Sequence, residues 1–279
     1  MYSVPSLRLN NGIAMDQLGF GLYKVPPGDA FGLVTQALEA GYRSIDTAAM
    51  YGNERGVGEA VRRFCEEDGG TAREDIFVTT KVWNDDQGYD RTLAAFDASL
   101  AELGLDYVDL YLIHWPCPQR GLFVDTYKAL EKLYREGRVR AIGVSNFQPD
   151  HLRTLLDATD VVPAVNQIEL HPWLQQHRLR ELHDQLGIRT EAWSPLGRGQ
   201  VLADPELERI AAEAGRSVAQ VVLRWHVQTG NVVIPKASSA ARIRENIGIF
   251  DFTLDGTAME RIDALDRNQR SGSHPDKVN

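Results

Sequence analysis

The feature that most constrains this chain is a repeated alternation of short apolar runs with longer segments of helical period. Runs that read as strands stand at Leu18–Phe20, Arg43–Asp46, Ile76–Lys81, Val108–His114, Val139–Ser145, Ala164–Gln167, Arg189–Trp193 and Val232–Ile234. Helical candidates lie between them, at 29–40, 54–65, 89–103, 122–136, 149–157, 175–186, 204–214 and 217–228, with Arg242–Ile249 closing the cycle. Gly41, Gly104, Gly137, Gly187, Gly215 and Gly230 stand at or just past the helix ends, where a left-handed residue stops a helix. Strands separated by helices are parallel, and eight such units predict an α/β fold of the closed (β/α)8 TIM-barrel kind. Leu7–Leu9 and Ile13–Met15 flank Asn10-Asn11-Gly12, which predicts an N-terminal β-hairpin ahead of the barrel. The rival, an open doubly wound sheet, needs a G-x-G-x-x-G turn, and Gly19-Phe20-Gly21-Leu22-Tyr23-Lys24 lacks the third glycine. No Gly-, Ser- or Pro-rich linker divides the chain, so residues 1–279 read as one domain. The polar Ser271–Asn279 tail is left open between disorder and folding over the barrel mouth.

Composition narrows the function. The 279 residues are 43% hydrophobic and carry a formal charge of −9. Nucleic acids and anionic membranes reward clustered Lys and Arg, so neither is an expected partner. Met1-Tyr2-Ser3-Val4-Pro5 has no basic region followed by an apolar run, and no stretch reaches the length of a membrane span. Cys65 and Cys117 form no CxxC pattern, so no structural disulfide is expected. Together these point to the cytoplasm, and nothing in the sequence asks for more than a monomer.

In a barrel of this kind, chemistry gathers where strands end and βα loops begin. The second strand ends at Asp46 and turns through Tyr51, the third ends at Lys81 and the fourth at His114. Singly, each has a plain reading: a turn-forming carboxylate, a packed phenol, a snorkelling ammonium, a histidine bonded to backbone. Three consecutive strands delivering ionisable groups to one face, with a phenol just beyond, ask for another. A phenol with a pKa near ~10 is a poor proton donor at neutrality. A nearby ammonium would bring it into a useful range, and here Lys81 would do so, held by Asp46, while His114 orients a carbonyl. No side chain supplies a hydride, so a nicotinamide must share the mouth.

At this point the chain resembles the aldo-keto reductase superfamily. The resemblance is carried by Gly41–Ala48 with Tyr51–Glu54, Leu103–Pro116, Gly143–Phe147, Asn166–Pro172, and Ile234-Pro235-Lys236 followed by Arg242, Glu245 and Asn246. Within the family, the short loops and the ending His274–Val278 are most similar to bacterial 2,5-diketo-D-gluconate reductases. The resemblance implies a catalytic tetrad of Asp46, Tyr51, Lys81 and His114, and NADPH as cofactor. It places Ser145, Asn146 and Gln167 at the carboxamide, Trp193 on the nicotinamide ring, and Ser194, Leu196 and Gly197 along the pyrophosphate. Lys236, Ser238 and Arg242 reach the 2′-phosphate, Glu245 and Asn246 the adenine, and Gly21, Tyr23 and Asp46 border the same site. Substrate, a small carbonyl compound, would meet Tyr23, Tyr51, Trp83, His114 and Trp115.

The residues speak to this with unequal force. A strand-end tryptophan offers a stacking face but also serves as core, Ser145-Asn146 also suits a helix cap, and Lys236 with Arg242 fits either an anion site or solvated surface. Where many members have Lys-Ser, this chain has Lys236-Ala237, and Ser239 stands where some relatives place an arginine. That departure weakens phosphate anchoring and predicts some NADH use at lower efficiency. Two other classes compete: a reductase-like barrel that binds cofactor without turnover, and a metal-dependent barrel hydrolase or isomerase using His171, His177 and His183. The complete tetrad argues against the first, and the absence of an accompanying carboxylate cluster against the second, so no metal is expected.

Overall fold

The computed structural model describes residues 4–67 and 70–279; Met1–Ser3, part of the N-terminal stretch read above, lie outside the described residues. A hairpin of β1 (Ser6–Arg8) and β2 (Ala14–Asp16) precedes the barrel strands β3 (Phe20–Gly21), β4 (Ser44–Asp46), β5 (Phe77–Val82), β6 (Val108–Ile113), β7 (Val139–Ser145), β8 (Val165–Glu169), β9 (Arg189–Trp193) and β10 (Val232–Val233). The helices are α1 (Pro27–Ala40), α2 (Glu54–Glu67), α3 (Tyr89–Leu103), α4 (Phe123–Arg135), α5 (Pro149–Leu156), α6 (His177–Leu186), α7 (Pro205–Ala214), α8 (Val218–Gln228), α9 (Ala240–Ile247) and α10 (Gly256–Asp263). The eight strands from β3 to β10 pair in sequence order, every pair parallel. A parallel bridge from Leu18 to Val233, with Gly19 N–H donating to Val233 O at 2.9 Å, joins the two edges and closes the barrel.

Helix limits follow the local chemistry. Gly41, Gly104, Gly187 and Gly215 all adopt positive φ at helix C-termini. Asp204 caps α7 ahead of Pro205, and Ser217 with Gln220 forms a reciprocal cap on α8. The closing helix runs over Ala240–Ile247, two residues earlier than periodicity suggested, because Ser239 caps it. Periodicity gives no sign of α10, which Asp255 caps. Among the described residues, no helix is long and apolar enough to cross a membrane.

Among the described residues two apolar clusters result. The larger lies between strands and helices; the smaller fills the lower barrel with Phe77, Leu110, Leu112, Ala141, Val165 and Val232, plugged from below by Leu9 and Met15 of the hairpin segment. Strand residues alternate faces, so the inward set can be followed upward from this plug. On β5 it runs Phe77, Thr79, Lys81; on β6 Leu110, Leu112 and then His114; on β8 Val165, Gln167, Glu169. The interior is thus apolar at the floor and polar at the C-terminal rim.

Candidate active site

A cavity of about 460 Å³ opens at that rim, a volume suited to a small-molecule site. Its wall includes Gly21, Tyr23, Asp46, Tyr51, His114, Trp115, Ser145, Asn146, Gln167, Trp193, Ser194, Leu196, Lys236 and Arg242. The structure therefore brings most of the expected residues to one place. Lys81 lies fully buried beneath the wall. Trp83 is not in the wall; its ring packs edge-on to His114 at 5.1 Å between centroids, so it supports that imidazole from behind. Gly197, Ser238, Glu245 and Asn246 also fall outside the wall. Periodicity gave no sign of Lys24, Met50, Arg198 and Leu202, which do line it; the last two come from a helical turn over Gly197–Ala203.

Lys81 Nζ donates to Asp46 Oδ1 at 2.7 Å, Asp46 Oδ2 at 2.8 Å and Thr47 O at 2.8 Å. All three ammonium protons are thereby engaged. This corrects one expectation. Burial pushes the Tyr51 phenol well above its ordinary value, and Asp46, Tyr23 and Glu191 push it the same way. Lys81 sits 5.2 Å from the Tyr51 ring centroid, but its charge is matched by Asp46 and does not bring the phenol down. Tyr51 is held as the neutral, proton-bearing acid. Burial, then the Lys81 charge, drives His114 well below its usual range, so the imidazole is neutral as well. Its Nδ1 is buried without a hydrogen-bond partner among the described residues, which leaves Nε2 as the nitrogen open to the cavity.

The neighbouring polar groups lock these positions. Asn146, at φ 66°, donates through Nδ2 to His114 O at 3.0 Å and accepts from Trp193 Nε1 at 2.9 Å. Ser145 Oγ donates to Gln167 O at 2.8 Å. Asn146, Ser194 and Arg198 all hold left-handed backbone, strain of the kind that persists where surrounding structure over-determines it. A Cβ on Gly21 would stand 2.9 Å from Ile234 O, so the backbone there approaches more closely than a side chain permits.

The C-terminal tail completes the rim. Buried Glu169 accepts at Oε1 from Ser271 N (2.5 Å), Ser271 Oγ (2.7 Å) and Gly272 N (3.1 Å). Gly272 lies so close to Trp193 that a Cβ would come within 2.6 Å of its ring. The tail is ordered and packs along the rim, with Asp276 3.5 Å from His151 and Asn279 accepting from Gln119 N, but it adds no residue to the cavity wall. The three histidines considered for a metal part company: His171 meets Glu169, His177 faces Asp266, and His183 sits between Thr190 and Asn166. Among the described residues, no three His, Cys, Asp or Glu side chains group to hold a metal ion.

Residues 16–267 match the aldo/keto reductase family. The chain belongs to that family. It is 53% identical over 275 residues to an aldo-keto reductase of Mycolicibacterium smegmatis, covering 99% of this chain and 98% of that protein. To the glyoxal reductase of Bacillus subtilis it is 51% identical over 274 residues, 98% of this chain and 97% of the relative. Among solved structures, a mutant of Gox0644 in complex with NADPH superposes with a TM-score of 0.94 at 46% identity, over the full length of both chains.

Proposed function

We propose that this aldo/keto reductase reduces small aldehydes, ketones and dicarbonyls, keto sugars among them, to alcohols with NADPH, Tyr51 giving the proton to the carbonyl oxygen. One observation carries the reading: a neutral phenol and a neutral imidazole border one cavity directly above a sealed Lys81–Asp46 ion pair. A relative named for glyoxal favours compact dicarbonyls, and the ending His274–Val278 favours sugar acids of the 2,5-diketo-D-gluconate type. We read residues 1–279 as a single barrel domain, working as a cytoplasmic monomer.

The cavity residues fit the cofactor. Trp193 offers a ring face, held by Asn146; Gly21 and Ser194 bring backbone close; Lys236 and Arg242 place two cations at the start of α9, where an anion is favoured. Ser145, Asn146 and Gln167 would take the carboxamide, Leu196 and Gly197 the pyrophosphate, Ser238 the 2′-phosphate, and Glu245 with Asn246 the adenine. NADPH, when bound, supplies the hydride. Tyr51 keeps its proton until charge develops on the substrate oxygen, and His114 Nε2–H donates to that oxygen and aims it. As oxyanion charge grows, Tyr51 loses its proton to it; Asp46 and Lys81 meanwhile fix the floor beneath the ring. The aromatic side chains Tyr23 and Trp115 line the same cavity and would limit water at the reacting carbon. Ser239 explains the weaker anchoring expected beside Ala237: its hydroxyl accepts from Arg242 N at 3.4 Å and so caps α9. NADH therefore serves at lower efficiency.

The test is Tyr51→Phe, followed by NADPH absorbance with glyoxal and methylglyoxal. The ring remains and the proton donor goes, so kcat should fall by about 10²–10⁴-fold while cofactor affinity holds. Retained turnover would overturn the mechanism, and NADPH bound but never consumed by wild type would favour a cofactor-binding module.

A further inference from the structure

Below the cavity, on the inward face of β9, lies a carboxyl that the reductase reading does not use. Glu191 is completely buried, and its Oε2 accepts from Gln167 Nε2 at 2.8 Å. The same Gln167 Nε2 donates to Asp46 Oδ2 at 2.8 Å. Both flanking partners are carboxyl oxygens, so only the NH2 end of the amide suits the gap between them. The amide oxygen of Gln167 is left as the atom available to a ligand in the cavity that Gln167 lines. The three N–H bonds of Lys81 are already committed to Asp46 and Thr47, and none reaches Glu191.

We propose that Glu191 is a positioning residue for carbonyl reduction that must carry a proton for the site to work, clamping Gln167 with its oxygen toward the cofactor and keeping a second negative charge away from Asp46 and Tyr51. This rests on the reading of the site as a reductase. Charge counting supports it. One ammonium faces two carboxyls in a dry interior, and two ionised carboxyls would leave an uncompensated buried charge. Among the described residues Glu191 Oε1 has no partner, as suits a neutral acid better than a carboxylate stripped of water. Burial first, then Asp46, raises this carboxyl to about 8 against the pull of Gln167 and Lys81.

The surroundings name no rival. β4, the turn after it and β5 contribute Asp46, Tyr51 and Lys81; β10 contributes Val232 and Val233. On β8, Glu169 is bonded by His171 and the tail. Arg189 on β9 itself donates to Arg8 O, and His183 of α6 meets Thr190 on the opposite face. Asp109 of β6 and Arg140 of β7 have the outward parity, opposite to Leu110 and Ala141, and pair with each other at 2.8 Å away from the interior.

Ionised Glu191 would disfavour phenolate at Tyr51, slowing proton donation, and would favour the positively charged nicotinamide of NADP+ over NADPH. The wild-type reduction rate, as kcat/KM, should therefore fall above about pH 8, by about tenfold per unit once the acid form is the minority. Glu191→Gln is a near-isostere of the neutral acid; it should keep the wild-type rate near neutrality and stay level through the alkaline range. The second readout is binding alone: the ratio of NADP+ to NADPH dissociation constants, from quenching of tryptophan fluorescence, should shift severalfold toward NADP+ in wild type across that range and stay constant in Glu191→Gln. Glu191→Leu, which removes the clamp, should weaken both cofactor forms. An alkaline limb and an affinity ratio in Glu191→Gln that track wild type would overturn the proposal, as would wild-type profiles flat across the whole range. Should wild type fail to reduce any carbonyl, the reductase reading itself falls, while the affinity ratio still reports on Glu191.

Discussion

Lys81 Nζ lies within 2.8 Å of both carboxylate oxygens of Asp46, and the lysine side chain has no solvent exposure at all. A sealed pair of this kind is costly to break from one side, because the survivor is left buried and uncompensated. Lys81→Met and Asp46→Asn should each lose about 3–5 kcal/mol of stability by urea denaturation. The double variant should recover part of that loss while remaining inactive, which separates charge burial from catalysis.

Cofactor preference should reside in Lys236 and Arg242, both in the cavity wall. Charge-assisted hydrogen bonds contribute about 1.5–3 kcal/mol, so Arg242→Ala should weaken NADPH by roughly 10–100-fold. NADH affinity should stay within error, measured by titration with each cofactor. Equal losses for both would relocate the phosphate contact.

Three buried histidines should make the fold acid-sensitive. Burial depresses His114 well below its ordinary 6.5, and takes His183 and His226 down to about 3. At His183 burial comes first and the Arg180 charge adds to it; Asn166 Nδ2 also approaches Nε2 at 2.9 Å while Nδ1 faces Thr190 Oγ1. A folded value below the unfolded one means the stabilisation is complete above about pH 6.5 and is lost as pH falls below it. Each such group steepens the loss by about 1.4 kcal/mol per pH unit. Urea midpoints from neutrality downward should show this, and His183→Asn should lessen the slope by about one such contribution of 1.4 kcal/mol per pH unit.

The Glu169 clasp should govern access to the mouth. Burial opposes its charge, but hydrogen bonds from His171 and Ser271 outweigh that and hold its carboxyl below the usual value. Its contribution therefore persists above the ordinary carboxylate range and is lost as pH drops through it. Glu169→Ala should release the tail, so that trypsin cuts after Arg270 much faster than in wild type. Substrate KM should rise more than kcat falls.

Why part of this was legible follows from distance along the chain. The strand β6 announces itself because both faces are buried, giving an apolar run that Gly104 precedes and Gly137 follows one unit later. Asp46, Lys81 and His114 could be found because a strand end is a local feature and the barrel sends all such ends to one rim. Glu191 was missed although a signal existed: it sits two residues before Trp193, hence on the same inward face, in a strand otherwise too buried for a carboxyl. The damping of Lys81 by Asp46 and Thr47 depends on distances that no spacing encodes, so the sense of the Tyr51 shift was misjudged. α10 comes after the last strand–helix unit, where the alternation has no place for it, and the tail's place is decided by Glu169, far away in sequence.

The seam between Leu18 and Val233 has a kinetic consequence. It joins segments remote along the chain, a contact that chain entropy delays until the intervening units have assembled. Gly21, Ile234 and Pro235 meet at that seam and also wall the cavity. An eight-stranded sheet with its edges still apart thus has no pocket to fill. Cofactor capture during refolding would clock the moment of closure, and nucleotide in the surrounding solution would act as a latch on the closed ring, not as a template for it.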